Sequence, residues 1–251
     1  MTSDSIDIIN AFALLTNFVI LPALSYGSQL ALGALAVTLV YSVLRFSNFA
    51  QGDSMAFGTM IVILLTGFMI GRGWTISGIP TALLVIPIAI VFTSMYLLTM
   101  DRLIYRHYRK IKAKSITIVM SSIGVMFVTG GIVRFVLGAT AQKFEDGERF
   151  IFSVREFKAY TGLEQGIAFK TSQFLTITIA FLLVAFVFYF LQKTKTGKAM
   201  RAYSDNKELA LLSGIDPDKM VQITWLLVAA LTTIAGALYG LDKGFAPQQY
   251  H

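Results

Sequence analysis

Residues 116–137 read ITIVMSSIGVMFVTGGIVRFVL, a run of 22 residues in which Arg134 carries the only charge. An α-helix of about 20 residues is long enough to cross the ~30 Å hydrocarbon core of a bilayer. Strands of a membrane β-barrel would instead alternate polar and apolar residues over about ten positions, and this run does not. The stretch therefore predicts a membrane-spanning α-helix.

Six further apolar stretches occur along the 251-residue chain: residues 8–24, 27–44, 55–70, 79–100, 174–191 and 220–241. Together they predict an all-α fold, a polytopic transmembrane helical bundle of about seven spans that forms a single domain over residues 1–251. The first residues contain Asp4 and Asp7 and no Lys or Arg. A cleavable signal peptide has a basic n-region, so we expect the first helix to remain in the mature protein.

The composition excludes several classes of protein. Apolar residues make up 55% of the chain and charged residues 14%, against roughly 25% charged in soluble domains. This rules out a soluble globular domain and a disordered chain. The absence of cysteine excludes a disulfide scaffold, a thiolate zinc site and a cysteine nucleophile. The net charge of +7 comes from short loops, so it does not predict a nucleic-acid partner.

Loop charges predict the orientation in a cell membrane, an inner or plasma membrane. Residues 101–114 hold six basic residues against Asp101, and residues 192–201 hold four basic residues and no acid. Both loops are expected in the cytoplasm. Residues 138–171 balance five basic residues against five acids, as expected of an external loop. Because successive spans cross the membrane in alternating directions, these three loop assignments place the N-terminus in the cytoplasm.

The short second and third stretches flank a polar segment, residues 45–53, which allows two interpretations. The stretches are either two thin crossings joined by a cytoplasmic turn or two half-helices that meet inside the membrane. Half-helices occur where they line a cavity. The polar cluster favours the second interpretation, because these side chains would be costly against lipid. In that case Asn48, Gln51, Gly52 and Asp53 could line a translocation path. Asp53 could instead cap the helix that follows.

Small residues recur every fourth position in Thr232-x-x-x-Gly236-x-x-x-Gly240 and Gly67-x-x-x-Gly71. Such spacing lets helices approach closely, either within the chain or at a dimer seam. The sequence contains no P-loop, no G-x-S-x-G motif and no H-E-x-x-H motif. We therefore predict no catalytic residues, no metal and no cofactor in this chain, so the energy for any pumping must come from elsewhere.

The cytoplasmic loop 192–219 contains a predicted amphipathic helix over residues 204–213. Ser204 or Asp205 could cap this helix, Leu209 and Leu212 share a face, and Gly214 ends it. The next helix starts at Pro217. A short helix with an exposed apolar edge either docks a soluble partner or lies at the membrane interface.

Three segments of the chain resemble one family of membrane permeases. Glu208-Leu209-Ala210-x-x-x-Gly214 is similar to the E-A-A-x-x-x-G loop of ABC importer permeases, with Leu209 in place of the middle alanine. Three regions resemble the branched-chain amino acid (Liv-type) permeases, a family that includes urea permeases. They are the stretches around this loop, TKTGKAMRAY and ALLSGID, the stretch ALAVTLVYSVLRFSNFAQGD at residues 34–53, and AALTTIAGALYG at residues 229–240. The likeness covers most of residues 27–240.

The resemblance implies a permease subunit that works with a second permease subunit, two ABC ATPase subunits and an extracytoplasmic substrate-binding protein. It implies that Glu208, Leu209, Ala210 and Gly214 couple the pore to an ATPase, which would hold the nucleotide site. The substrate is expected to be a branched-chain or related amino acid, with urea or a short amide as the alternative. An ATP-independent channel is a further alternative. Family members usually continue with more spans, so we expect this chain to be truncated at its C-terminus.

Overall fold

The structure is a computed structural model of the chain, and it describes residues 10–74, 80–138, 140, 150–152 and 169–245. Six helices in this part are long and apolar enough to cross a membrane. They are α1 (Asn10–Leu44), α2 (Gln51–Gly71), α3 (Thr81–Lys110), α4 (Ser115–Leu137), α5 (Thr171–Lys193) and α8 (Pro217–Lys243). Two shorter helices, α6 (Lys195–Asp205) and α7 (Lys207–Leu212), lie between α5 and α8. The predicted polytopic helical bundle is confirmed.

The loop between α4 and α5 carries a small antiparallel pair, β1 (Phe150–Phe152) and β2 (Phe169–Lys170). Most of this predicted external loop lies outside the described residues, and so do its acids. The predicted cytoplasmic loop 101–114 is largely helical, because α3 continues to Lys110 through a π turn at Asp101–Tyr105.

The first two apolar stretches form one continuous helix, so the described part of the chain has six candidate spans where the sequence shows seven stretches. Gly27 lies inside α1, and a glycine within a helix costs about 1 kcal/mol without ending it. A π turn at Thr16–Ile20 comes just before Pro22. Proline has no N–H for the usual helical bond, and a local π turn is one way in which a helix continues past such a position.

The alternative of two half-helices meeting inside the membrane is contradicted by the helix lengths. The α-helical part of α1 that precedes the polar segment, Leu21–Leu44, has 24 residues, and α2 has 21 residues. At 1.5 Å per residue both extend about 30 Å or more, which is enough to cross. The turn between them instead lies beside α6: Ser204 Oγ donates to the Ser42 carbonyl at 2.9 Å, and the Arg45 guanidinium donates to the Ser204 carbonyl.

Helix α8 is the centre of the bundle. It packs against α1, α2 and α3, and Trp225, Leu231 and Leu238 on it are fully buried. By contrast, α4 and α5 expose large apolar side chains, including Phe127, Phe135 and Phe181. An exposed apolar face of this size is expected where a helix contacts lipid.

The two small-residue patterns differ in what they contact. A Cβ atom added to Gly236 would lie 2.8 Å from the Met55 carbonyl oxygen and would also meet Thr59. Gly236 therefore packs α8 against α2 within the chain, as one of the two interpretations predicted. Among the described residues, no atom lies within 4 Å of a Cβ added to Gly67 or Gly71.

Changing Gly236 to alanine is expected to lower the free energy of unfolding by about 1–3 kcal/mol, because the added methyl overpacks a contact with backbone. Thermal unfolding in detergent, followed by circular dichroism, measures this difference. Gly67→Ala is the matched control, since its methyl enters open space and alanine favours a helix. Equal unfolding temperatures for the two variants would contradict the assigned packing.

Candidate functional site

The predicted helix over residues 204–213 is two helices that meet at Asn206. This residue has an extended backbone, with φ −146° and ψ 107°. Its Oδ1 accepts hydrogen bonds from the N–H groups of Glu208 and Leu209 at 3.0 and 3.1 Å. Asn206 is therefore the N-cap of α7, and the prediction of Ser204 or Asp205 is wrong. Both of those residues end α6.

Gly214 ends α7 as predicted, in a left-handed turn with φ +79°. The Gly214 N–H donates to the Leu211 carbonyl, and the Ile215 N–H donates to the Ala210 carbonyl, both at 3.0 Å. This is the bonding pattern of a Schellman motif, in which glycine is preferred. α8 then starts at Pro217, after the N-cap Asp216, so only a tight turn separates α7 from the central helix.

Helix α7 presents an apolar surface to solvent. Leu209 is 60% exposed, Leu212 is 85% exposed and Leu211 is also exposed, whereas Ala210 packs inward. We call the three exposed leucines the leucine patch. Glu208 is exposed beside it. Contiguous apolar residues on a polar loop are typical of a surface that a partner covers.

Helix α6 holds α7 against the bundle. Thr194 Oγ1 accepts a hydrogen bond from the Gly197 N–H at 3.0 Å and caps α6. A Cβ on Gly197 would lie 2.6 Å from Leu191 Cα, so α6 folds back tightly on the end of α5. Met200 and Tyr203 of α6 are buried in the core. The leucine patch is consequently carried on a fixed support.

Polar and aromatic side chains join the turn after α1 to α3 and α8. The Tyr105 hydroxyl donates to Asn48 Oδ1 at 3.2 Å, and Asn48 Nδ2 donates to Gln51 Oε1 at 3.4 Å. The Tyr105 ring stacks on Trp225, with ring centres 5.7 Å apart, and contacts Phe46. We call Asn48, Gln51, Tyr105 and Trp225 the polar–aromatic cluster.

One ion pair and one hydrogen bond connect α3 to the central helix α8, and a second ion pair lies within α3. Asp101 accepts two hydrogen bonds from the Arg109 guanidinium at 2.6 and 2.9 Å, and a third from Trp225 Nε1 at 2.8 Å. Arg106 pairs with Asp218 at 2.5 Å. Because Asp218 lies in the first turn of α8, this pair lies next to the turn that follows α7.

The predicted path residues lie at this end of the bundle and are mostly buried. Asn48, Gln51 and Asp53 are buried and Gly52 is half-buried. Ala50 is the N-cap residue of α2, so the alternative of Asp53 as the cap is wrong: Asp53 is the third residue of the helix. Gln51 Nε2 is buried and has no hydrogen-bond partner among the described residues.

The sequence of the chain matches a known family. Residues 19–250 match the family described as the permease component of branched-chain amino acid transport systems. The chain belongs to this family. The predicted resemblance is thereby confirmed, and the chain is a multi-pass membrane permease subunit of an ABC importer.

Several curated relatives of this permease are similar along most of the chain. The high-affinity branched-chain amino acid transport system permease proteins LivH of Salmonella typhimurium and BraD of Pseudomonas aeruginosa are 27% and 24% identical. The match covers 87% of this chain and 68% of LivH, and 88% of this chain and 69% of BraD. A probable branched-chain amino acid transport permease protein LivH of Methanocaldococcus jannaschii is 28% identical over 90% of this chain and 66% of its own length. No solved structure matches the chain.

Sequence reasoning about this permease missed three features of the site. Leu211 is exposed together with Leu209 and Leu212 because α7 is only six residues long and leaves most of its surface outside the bundle. Asn206 is a strong N-cap residue by type, and this signal could have located the break. The contact between Asp101 and Trp225 joins residues 124 apart and has no local sequence signal.

Proposed function

We propose that this permease subunit imports branched-chain or related amino acids in a complex with two ATPase subunits, a second permease subunit and an extracytoplasmic binding protein. The observation that carries the proposal is the leucine patch, an apolar surface on a six-residue helix held at both ends by caps. The names of the relatives support the substrate class.

The permease would transmit motion of an ATPase through α7 into the bundle. Gly214 and Asp216 join α7 to α8 by a tight turn, so displacement of α7 displaces the start of the central helix. The pairs Arg106–Asp218 and Asp101–Trp225 would carry that displacement to α3. Alternating access needs a bundle that moves against its neighbours as a rigid body. We assign Glu208, Leu209, Ala210 and Gly214 to this coupling.

The cytoplasmic end of the translocation path would include Asn48, Gln51, Gly52 and Asp53. The support is the burial of three of these polar residues beside α8, at the end where α7 would act. Buried polar groups in a membrane protein face a bundle interior or a wet cavity. The unpaired Gln51 amide nitrogen provides a donor for a substrate or for water in the assembled pore.

Residues 101–114 and 192–219 would be cytoplasmic and residues 138–171 external. Because α1 is one continuous helix, a single crossing places its first residues outside, whereas seven separate stretches predict a cytoplasmic N-terminus. We propose the external position. Single cysteines at Ser3 and Thr140 are expected to react with an impermeant maleimide added outside intact cells, and a cysteine at Lys195 only after permeabilisation. Labelling of Ser3→Cys only after permeabilisation would restore the predicted orientation.

The substrate proposal is tested by ATP hydrolysis of the reconstituted complex with its cognate binding protein. Leucine is expected to stimulate hydrolysis and urea is not. Stimulation by urea alone would overturn the substrate class and keep the permease role. Substrate flux through the permease without an ATPase would favour the channel alternative.

A further inference from the structure

A cavity of about 480 Å³ opens between the end of α1, the last ten residues of α3 (101–110, here the extension of α3), the start of α4, helix α7 and the start of α8. We call it the cationic cavity, because six basic side chains line it: Arg45, Arg106, Arg109, Lys110, Lys112 and Lys207. Asp218 is the one acid in the lining, and apolar side chains that include Leu44, Ile118 and Val221 complete it.

Most of the positive charge in the cationic cavity has no carboxylate partner. Arg106 pairs with Asp218 and Arg109 pairs with Asp101. Among the described residues, the other four cations have no carboxylate oxygen within 4.0 Å, since these two are the ion pairs found there. The Arg45 guanidinium donates a hydrogen bond to the carbonyl oxygen of Ser204.

Lys207 lies close to other positive charges of the cationic cavity. It lies in the first turn of α7, with its Nζ 5.5 Å from the centre of the Tyr203 ring. Burial lowers the pKa of the Lys207 ammonium, and the nearby charges of Arg45 and Arg109 lower it further. An anion in the cavity would offset this repulsion.

The backbone also converges on this cavity. Arg45 and Lys112 are the two non-glycine residues with positive φ in the described part of the chain, at 61° and 50°. Both line the cationic cavity. The left-handed conformation is unfavourable for residues that carry a Cβ, and such outliers concentrate at functional sites. Two separate turns thus each place a basic residue in the lining of the same cavity.

We propose that the cationic cavity binds a phosphate group, carried by an anionic lipid headgroup or by a soluble phosphate. A phosphate offers several acceptor oxygens and at least one full negative charge, which suits a cavity with several unpaired guanidinium and ammonium donors. The cavity lies at the cytoplasmic ends of the spans, within reach of either source. A bound phosphate would bridge Lys207 of α7 and the basic residues of the extension of α3. It would therefore fix the position of the leucine patch relative to the bundle.

The test uses the purified, delipidated permease and two probes. Inorganic phosphate is titrated by calorimetry, and retention of phosphatidylglycerol against phosphatidylcholine is followed by native mass spectrometry. The double variant Lys112→Gly, Lys207→Gln removes two cations, and glycine keeps the positive φ of residue 112 without strain. Lys195→Gln is the matched control, an exposed lysine of the same loop that does not line the cavity.

One of the two probes, phosphate or phosphatidylglycerol, is expected to bind the wild type and Lys195→Gln. The same probe should bind the double variant ~tenfold or more weakly, since two charge-assisted contacts are lost. Weakened phosphate binding identifies a soluble source, and selective loss of retained phosphatidylglycerol identifies a lipid source. Lys110→Gln provides a second variant should the double variant unfold. Indistinguishable binding of both probes by all variants would overturn the proposal. So would a double variant that binds both probes normally and loses only affinity for the ATPase subunit.

Discussion

Replacing Gly214 by valine is expected to reduce substrate-stimulated ATP hydrolysis of the assembled importer about tenfold or more, with near-normal amounts of permease in the membrane. Residue 214 has φ +79°, a conformation that costs a residue with a Cβ roughly 1–2 kcal/mol and a β-branched residue more. The Schellman turn would open, and the leucine patch would point away from its partner. The bundle does not depend on this turn, so it should still fold.

The surroundings of Gly214 make this a clean experiment. None of the described residues lies within 4 Å of an added Cβ, so the first carbon of a new side chain has space within the chain. Gly214→Asn is the matched control, because asparagine adopts the left-handed conformation more readily, and it should keep most of the coupling. Glu208→Ala removes one exposed polar side chain and should have the smaller effect. Full coupling in Gly214→Val at normal abundance would show that α7 is only a solvated connector.

Replacing Asp101 by alanine is expected to lower the free energy of unfolding by about 3–5 kcal/mol, because the mutation leaves a largely buried Arg109 charge without its partner. It also removes the acceptor of the Trp225 indole N–H, which lies 2.8 Å from Asp101 Oδ1. Asp101→Asn keeps an acceptor for that N–H and should fall between alanine and the wild type. Denaturant unfolding in detergent, monitored by tryptophan fluorescence, measures all three proteins. An alanine variant as stable as the wild type would contradict the role of this contact.

The spans could be predicted from the sequence because the bilayer sets their length and polarity. Residues 116–137 fall within a helix that starts one residue earlier and ends at the same residue, and residues 220–241 fall within one that starts three residues earlier and ends two later. The boundary near Gly27 could not be predicted, because glycine weakens a helix without deciding whether it ends. In α1, packing against α8 favours continuity.

In the candidate site, too, the features set by local sequence could be predicted and those set by long-range contacts could not. Gly214 and Pro217 mark helix ends by their own backbone chemistry, and the structure places both ends there. The polar segment after α1 gave no such signal for its surroundings. Asn48 has a distant hydrogen-bond partner in Tyr105, which lies 57 residues away, and only the packing of α3 beside the turn brings the two together.

The most direct test of α7 as the docking site is disulfide or bismaleimide cross-linking from a single cysteine at Leu212. The native chain contains no cysteine, and Leu212 is the most exposed member of the leucine patch. In membranes containing the assembled importer, Leu212→Cys should cross-link to a single engineered cysteine in the ATPase subunit, with a yield that changes when ATP is added. Thr140→Cys, on the loop assigned to the opposite side, should give no product. Cross-linking of the ATPase to Thr140→Cys but not to Leu212→Cys would contradict the account.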